Sequence, residues 1–403
     1  MKIWLLNPFD PLPGEAFRPG RYTTLVNLLI QNGHRVVWWS SNFFHHTKSY
    51  RKEIKEIPGL KIILLPTSRY KRNISLRRVV NHYIFAKSFE RRFKEIKDSP
   101  DVILVSCPPL ISAKVAIKVA KKLKIKCIID IRDLWPEAFE MILPFKIGKI
   151  FFWPIKKYVD NIYDSADALM AVSQTYRNRA LSVSKNKFKK SLVYSLGIDL
   201  NLFDSLTQEK NSFEIEKKAG EFWFTYIGTI GKSYDIETIL KCARLLLSSH
   251  PNIKFFIAGD GPDFTRIKKL AERYKLVNCK FLGWFSFKDM ISLLKKADVG
   301  LNTIVAKSKT TFPNKLFDYM AAKLPIINSV GGEFKNLLES ENIGRQYIAG
   351  NPDSLKEAIL YLYNQPKKCK IMGENARKLV EREFDRNKIY PRFEKFLKEV
   401  IKG

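Results

Sequence analysis

Negative charge is scarce in this 403-residue chain: 40 Asp and Glu stand against 71 Lys and Arg, a formal net charge of +31. An excess of that size excludes an acidic scaffold. It points to an anionic partner, which is nucleic acid, an anionic membrane surface or a phosphorylated substrate, beyond the lysines that only decorate solvated faces. Cysteine is also thin. The five (Cys107, Cys127, Cys242, Cys279, Cys369) are odd in number, scattered and without CxxC spacing. That pattern excludes a zinc site and a disulfide framework, and fits reduced thiols in a cytosolic core. The five histidines include no HxxxH pair, and His45-His46 lies in a polar, loop-like stretch, so no metal is expected. No apolar run reaches the roughly 18 uncharged residues of a membrane-spanning helix. The opening MKIWLLNPFD is broken at once by Asn7, Pro8 and Asp10, too early for a secretory leader, and is expected to form a first buried strand.

What is present is core material, with 45% hydrophobic and 13% aromatic residues. A chain of this length suits two domains of about 180–200 residues rather than one core. Apolar runs alternate with helix-period segments, the pattern of parallel sheets covered by helices on both faces. The first set of strands runs KIWLLN, RVVWWSS, KIILLP, VILVS, KCIIDI, ALMAVS and LVYSLGID; the second runs FWFTYIG, KFFIAG, CKFLGW, DVGLNT and LPIINS. Residues 200–221 are polar and without periodicity, and are expected to link the halves. No short repeat is visible, so the reading is two Rossmann-like α/β domains, 1–200 and 201–384, rather than a solenoid.

In open α/β sheets ligands bind beyond the carboxyl ends of the strands, so the following loops are where chemistry belongs. The first, PFDPLPGEAFRPGRY, carries four prolines, Gly14, Arg18 and Arg21 before a helix. It is either a solvated surface loop or an anion grip, with the two arginines clamping a phosphate. After FWFTYIG, the turn Gly228, Thr229, Gly231, Lys232, Ser233 suits a diphosphate but is not a Walker A loop, because Tyr226 stands where that motif needs glycine. Gly259-Asp260-Gly261-Pro262 is turn chemistry with a possible ligand contact. In TTFPNKLFDYMAAKLPI, a helix is expected after Pro313 and Asn314. Lys315 near its start disfavours the macrodipole unless an anion sits there, and the Asp318 carboxylate a turn on can accept from vicinal ribose hydroxyls. In CIIDIRDLWPE, an Arg132–Asp130 ion pair is the plain structural expectation, and DIRD is not a metal-holding DxD.

The segments GTIGKSYDIETIL, FFIAGDGPDFTRIKKLA, VNCKFLGWFSFKDMISLLKKADVGLN and FPNKLFDYMAAKLPI resemble, in order and spacing, the donor domain of retaining GT-B glycosyltransferases of family 4. SCPPL, IDIRDLWPE, ADALMAVSQTYRN and SLGIDLNLF extend the resemblance to the branch that assembles O-antigen and capsule repeats, including N-acetylfucosaminyl-transferase-like enzymes. The resemblance covers nearly the whole chain. It implies two domains facing a cleft and a C-terminal helix, 385–403, returning to the first domain.

It also implies a sugar moved from a nucleotide-diphosphate donor, UDP-linked, with retention and without a metal or other cofactor. Lys232 and Lys315 would neutralise the diphosphate, with Gly228, Thr229, Gly259, Gly261, Pro313 and Asn314 around it. Asp318 would hold the ribose and Gly283-Trp284 would lie beside the base. Asp318 stands where the family usually has glutamate, and the earlier glutamate of the paired motif falls near Thr310. Arg132 and Asp133 align with a segment that often carries a histidine near the reacting sugar, and are the catalytic candidates with Lys232. The acceptor implied is an undecaprenyl-diphosphate-linked saccharide, held by Gly14, Arg18 and Arg21. The basic stretch 69–94 and the Phe/Trp/Lys mixture of 143–157 have the composition of a surface resting on anionic headgroups, which implies a cytoplasmic protein peripheral to the membrane. Three rivals keep the composition but change the function: a nucleotide-sugar 2-epimerase, whose carboxylate and histidine constellation is missing; a nucleic-acid-binding protein, for which no RNP, KH or finger pattern is present; and a membrane-bound partner protein without catalysis, to which Thr310 and the missing histidine lend weight.

Overall fold

The computed structural model describes residues 1–16, 18, 20–51, 54, 57–139, 145–186, 189–208, 215–308 and 312–403, the side chains of 139 and 145–151 excepted. The chain divides into two compact units, Met1–Ser195 with Tyr390–Gly403, and Leu196–Ile389.

In the first unit the apolar runs become strands β1 (Lys2–Leu6), β2 (Arg35–Ser41), β3 (Phe43–Phe44), β4 (Ser49–Tyr50), β5 (Leu60–Leu65), β6 (Val102–Cys107), β7 (Lys126–Ile131), β8 (Ala168–Ala171) and β9 (Ser191–Val193). Helices α1 (Arg21–Gln31), α2 (Leu76–Arg92), α3 (Leu110–Leu123), α4 (Phe145–Ser165) and α5 (Gln174–Leu181) run between them. Among the described residues, β3 and β4 form a small antiparallel hairpin and the others one parallel sheet in the order β5-β2-β1-β6-β7-β8-β9. Continuous apolar strands suit such a sheet because helices bury both faces. Trp4, Trp39 and Phe89 of α2 meet edge to face at 5.1–6.2 Å on one of those faces.

The second unit begins with α6 (Leu200–Gln208) and alternates β10 (Phe222–Ile227), α7 (Ile236–Leu246), β11 (Ile253–Ala258), α8 (Phe264–Arg273), β12 (Cys279–Gly283), α9 (Phe287–Lys296), β13 (Val299–Asn302), α10 (Lys315–Ala321), β14 (Ile326–Asn328), α11 (Glu333–Ser340) and β15 (Gly344–Gln346). Helices α12 (Pro352–Tyr363), α13 (Pro366–Leu379) and α14 (Arg386–Ile389) follow. Its parallel sheet is ordered β12-β11-β10-β13-β14-β15. In both sheets the order reverses at the first strand, β1 or β10, and that reversal opens a ligand crevice at the carboxyl edge.

The stretch expected as a linker is partly structured. Leu200, Phe203 and Leu206 are buried in the second core on one face of α6, a three-residue spacing hidden among Asn, Asp and Ser. Residues 209–214 lie outside the described residues. The last helix, α15 (Pro391–Lys402), belongs to the first unit, whereas residues 385–389, expected to return with it, belong to the second. Pro391 has no N–H to continue α14, so the chain turns at Tyr390. The Tyr390 and Phe393 rings then lie 4.6 and 5.5 Å from that of Tyr194. Among the described residues no helix is long and apolar enough to cross a membrane.

Candidate functional site

The carboxyl edge of the second sheet is built by glycines that let three loops touch. Gly259 and Gly261 hold φ of +141° and +157°, and a β-carbon on either would stand 1.8 Å from the Gly228 carbonyl or 2.3 Å from that of Ile230. Only glycine fits there. The Gly228 amide donates to Ala258, Ile230 to Asp260, and Gly259 to Gly283. The loops after β10, β11 and β12 are thereby locked side by side.

Lys315 lies against this edge. Its Nζ is 3.4 Å from where a Gly228 β-carbon would be, 3.7 Å from the centroid of the Tyr226 ring and 4.7 Å from that of Tyr234. The side chain is 8% exposed, and Nζ has no hydrogen-bond partner among the described residues. Burial pushes its ammonium well below the ordinary lysine pKa. Aromatic faces attract a cation but give it no hydrogen-bond acceptor, so the group is held ready for an anion.

Position comes from Tyr319, four residues on and therefore on the same face of α10. Its ring fills the space over Gly300, where a β-carbon would come within 2.5 Å. Its hydroxyl accepts from the Ile227 amide at 3.0 Å and lies 3.0 Å from the Leu301 carbonyl. Asp318, between the two, is buried. The helix begins at Lys315, with Pro313 half-buried and Asn314 exposed just before it. Thr310 lies outside the described residues. Lys232 is exposed and lines a hollow of about 360 Å³ with Tyr234, Asp263 and Arg266, whose lining includes neither Lys315 nor Asp318. Thr229 is exposed, its carbonyl accepting from the Tyr226 hydroxyl at 2.6 Å. Gly283 closes β12 at φ +71°, and Trp284 beyond it is 76% exposed.

At the carboxyl edge of the first sheet the pairing differs from expectation. Asp130 is bound not by Arg132 but by Arg21, at 2.8 Å, and by the Tyr22 hydroxyl at 2.5 Å. Arg132 turns to Asp10 and lies over the Tyr22 ring. The reason is topological: β7 stands two strands from β1, so α1 delivers Arg21 and Tyr22 over the sheet to the end of β7. Arg21 is 2% exposed, with Tyr194 under its guanidinium, so it is withdrawn from the anion-gripping role expected of it. Gly14 is exposed and Arg18 half-buried. Asp133 accepts from the Trp135 indole at 3.3 Å, and burial raises its carboxyl pKa. Sequence reasoning missed Tyr226, Tyr234, Tyr319 and Asp10. The i, i+4 spacing of Lys315 and Tyr319 was the one available signal.

Residues 207–379, within the second unit, match the family described as glycosyl transferases group 1. A protein named as an uncharacterized glycosyltransferase, MJ1069 of Methanocaldococcus jannaschii, is 23% identical over 60% of this chain and 60% of its own length. The chain spans about three-fifths of the curated relatives it matches. Among solved structures, sucrose-phosphate synthase from Thermosynechococcus elongatus superposes over 100% of this chain and 99% of its own, with a TM-score of 0.75 at 16% identity. Anabaena Alr3699/HepE, solved in complex with UDP, gives 0.70 at 15% identity over 99% of this chain and 100% of its own. The fold is GT-B.

Proposed function

We propose that the protein is a glycosyltransferase that takes a sugar from a nucleotide-diphosphate donor, UDP-linked, and passes it with retention to a lipid-linked saccharide in polysaccharide synthesis. The observation that carries the donor half is Lys315, a buried lysine whose Nζ has no hydrogen-bond partner among the described residues, placed beside the glycine loops at the crevice of a nucleotide-binding type of sheet. A diphosphate seated on it would gain a charge-assisted hydrogen bond in a site of low dielectric. Trp284 offers an exposed ring on which a base can stack, and Asp318 is the carboxylate for the ribose. The group 1 match and the UDP complex of a structural neighbour support this reading.

In the proposed reaction the acceptor hydroxyl attacks the anomeric carbon on the face the diphosphate leaves, and the departing phosphate oxygen takes the hydroxyl proton. Charge grows on that leaving group, so Lys315 contributes most in the transition state. Lys232, being exposed, would reach the donor only from the rim. Arg132 and Asp133 stand on the acceptor side, Arg132 tied to Asp10 and the Asp133 carboxyl pKa raised by burial.

Titrating UDP into wild type and Lys315→Met tests the donor half. Loss of a charged hydrogen bond of about 1.5–3 kcal/mol weakens binding about 10- to 150-fold. Unchanged affinity in a folded variant would defeat the assignment. Because lysine rather than a metal ion is given the leaving group, turnover with a polyprenyl-diphosphate-saccharide acceptor should survive EDTA. Activity lost on chelation and restored by magnesium or manganese would contradict it.

A further inference from the structure

Four parallel strands, β1, β2, β5 and β7, end on one edge of the first sheet, and the loops that leave them meet with the start of α2. The cluster they form is used neither by the core nor by the donor reading. His45 Nδ1 lies 2.5 Å from the Tyr70 hydroxyl and 3.1 Å from Lys48 Nζ. Lys48 stands 4.7 Å over the Tyr70 ring and donates to the Asn73 side chain at 2.7 Å. The Arg78 guanidinium lies 5.4 Å from the centroid of Phe9 and 5.5 Å from that of Trp135, with Nη1 on the Asn73 carbonyl. His82, 4% exposed, sits near the same two rings, and its Nε2 has no hydrogen-bond partner among the described residues.

Among the described residues the carboxylates of this edge are bound elsewhere. Asp10 is bound by Arg132 and Glu15 by Arg51, while Asp133 takes the Trp135 indole proton. Two cationic groups and two imidazoles are thus gathered among aromatic walls, and although Asp133 faces Arg78, neither Lys48 nor Arg78 has a carboxylate ion-pair partner among the described residues. Such a group is costly when empty and is relieved by an anion. Arg21, one of the two arginines the sequence suggested for that task, is closed off by Asp130.

We propose that this cluster binds a diphosphate carried by the acceptor, with Lys48 and Arg78 as cationic ligands and His45 and His82 as hydrogen-bond donors. The assignment to the acceptor rests on the first unit being the acceptor side, as in the function proposed above. Proton linkage follows from the surroundings. Burial, then Lys48, Arg78 and His46, hold His45 at about 3; burial, then Arg78 and His45, hold His82 at about 3. Burial and Arg78 bring Lys48 down to about 8. Burial also lowers His46, which faces Asp10, Lys48, Arg51 and Arg132, and lowers Arg78, which faces Tyr70 and Asp133. A bound anion favours every protonated form. Affinity is therefore greatest below pH 8 and falls as pH rises through 8, where free Lys48 gives up its proton.

The test is calorimetric titration of the full chain with inorganic pyrophosphate and with geranyl diphosphate, UDP being held at saturation to fill the donor site. Both ligands should bind wild type, and binding should weaken about 10-fold or more between pH 7 and 9.5. Lys48→Met and Arg78→Ala should each lose at least about 10-fold in affinity for both while binding UDP as wild type does, which also shows that the variants fold. Normal UDP binding with neither diphosphate bound, or bound equally by both variants, overturns the proposal and leaves the donor reading intact. Diphosphates bound in the absence of any UDP affinity would support the cluster and strike the donor reading instead. Binding of inorganic pyrophosphate alone would overturn the assignment to a lipid-linked acceptor.

Discussion

Lys315 is placed by its neighbours rather than by its own contacts, and Tyr319 is the neighbour that matters most. Its hydroxyl satisfies the buried Ile227 amide at the end of β10, and its ring wedges over Gly300 in β13. Tyr319→Phe keeps the wedge and removes the hydroxyl, leaving a buried amide unpaired at a cost of about 1–3 kcal/mol. We expect a lower melting temperature and weaker UDP binding from the same substitution. A variant that melts as wild type does would show that the amide finds another acceptor. Gly300 is the complementary residue, since any side chain there meets the Tyr319 ring.

Helix α15 shows how an element at the far end of the chain is tied to the first unit. Glu394 on its first turn takes hydrogen bonds from His34 at 3.0 Å and from Asn32, both just past α1, and pairs with Lys398 at 2.6 Å. These contacts, the Lys398 hydrogen bond foremost, hold its carboxyl at about 2. A depressed carboxyl contributes stability above its unfolded pKa of about 4.3 and loses it as pH falls toward the folded value. Glu394→Gln should therefore lower the melting temperature near pH 7 and matter progressively less between about pH 4.5 and 2. A pH-independent difference would assign the effect to packing. Helix α2 has the opposite character. It buries Phe85, Ala86 and Phe89, yet leaves Leu76, Val79, Val80 and Tyr83 exposed at helical spacing, with Arg77 and Arg91 also exposed.

Charge is unevenly shared between the two units. The first holds 40 of the 71 Lys and Arg and 17 of the 40 Asp and Glu, the second 31 and 23. Most of the +31 thus lies on the unit that also carries the exposed α2 stripe and Trp153, itself exposed on α4 with Lys157 over its ring. Phe152 is half-buried, and the Phe151 side chain lies outside the described residues. This distribution supports a proposal that the first unit rests on an anionic bilayer, where each basic residue near the surface is worth about 1 kcal/mol. Flotation should recover the protein with anionic but not neutral liposomes, less well at high salt. Leu76→Ser with Val80→Ser should remove the salt-resistant remainder without lowering the melting temperature. Equal recovery with both lipids would return the charge to solubility alone.

The parallel sheets were readable in advance, because a strand buried on both faces must be apolar along its whole length and each of the long runs is. Gly259 and Gly261 were readable for a similar reason: a turn at positive φ leaves a glycine behind. Lys315 and Asp318 announced themselves as charges beside a buried helix. Partner choice was not readable. That Arg21 rather than Arg132 meets Asp130 depends on which strand stands beside which, and strand order is set by the packing of helices far apart in sequence. Tyr226 and Tyr234 count as core aromatics until the glycine loops bring Lys315 over their faces. His45 and Lys48 come from one stretch and Arg78 and His82, four residues apart on α2, from another, with nothing in the sequence to join the two pairs. Only the shared carboxyl edge of a parallel sheet brings them within reach of one ligand, because every strand that feeds it must end there.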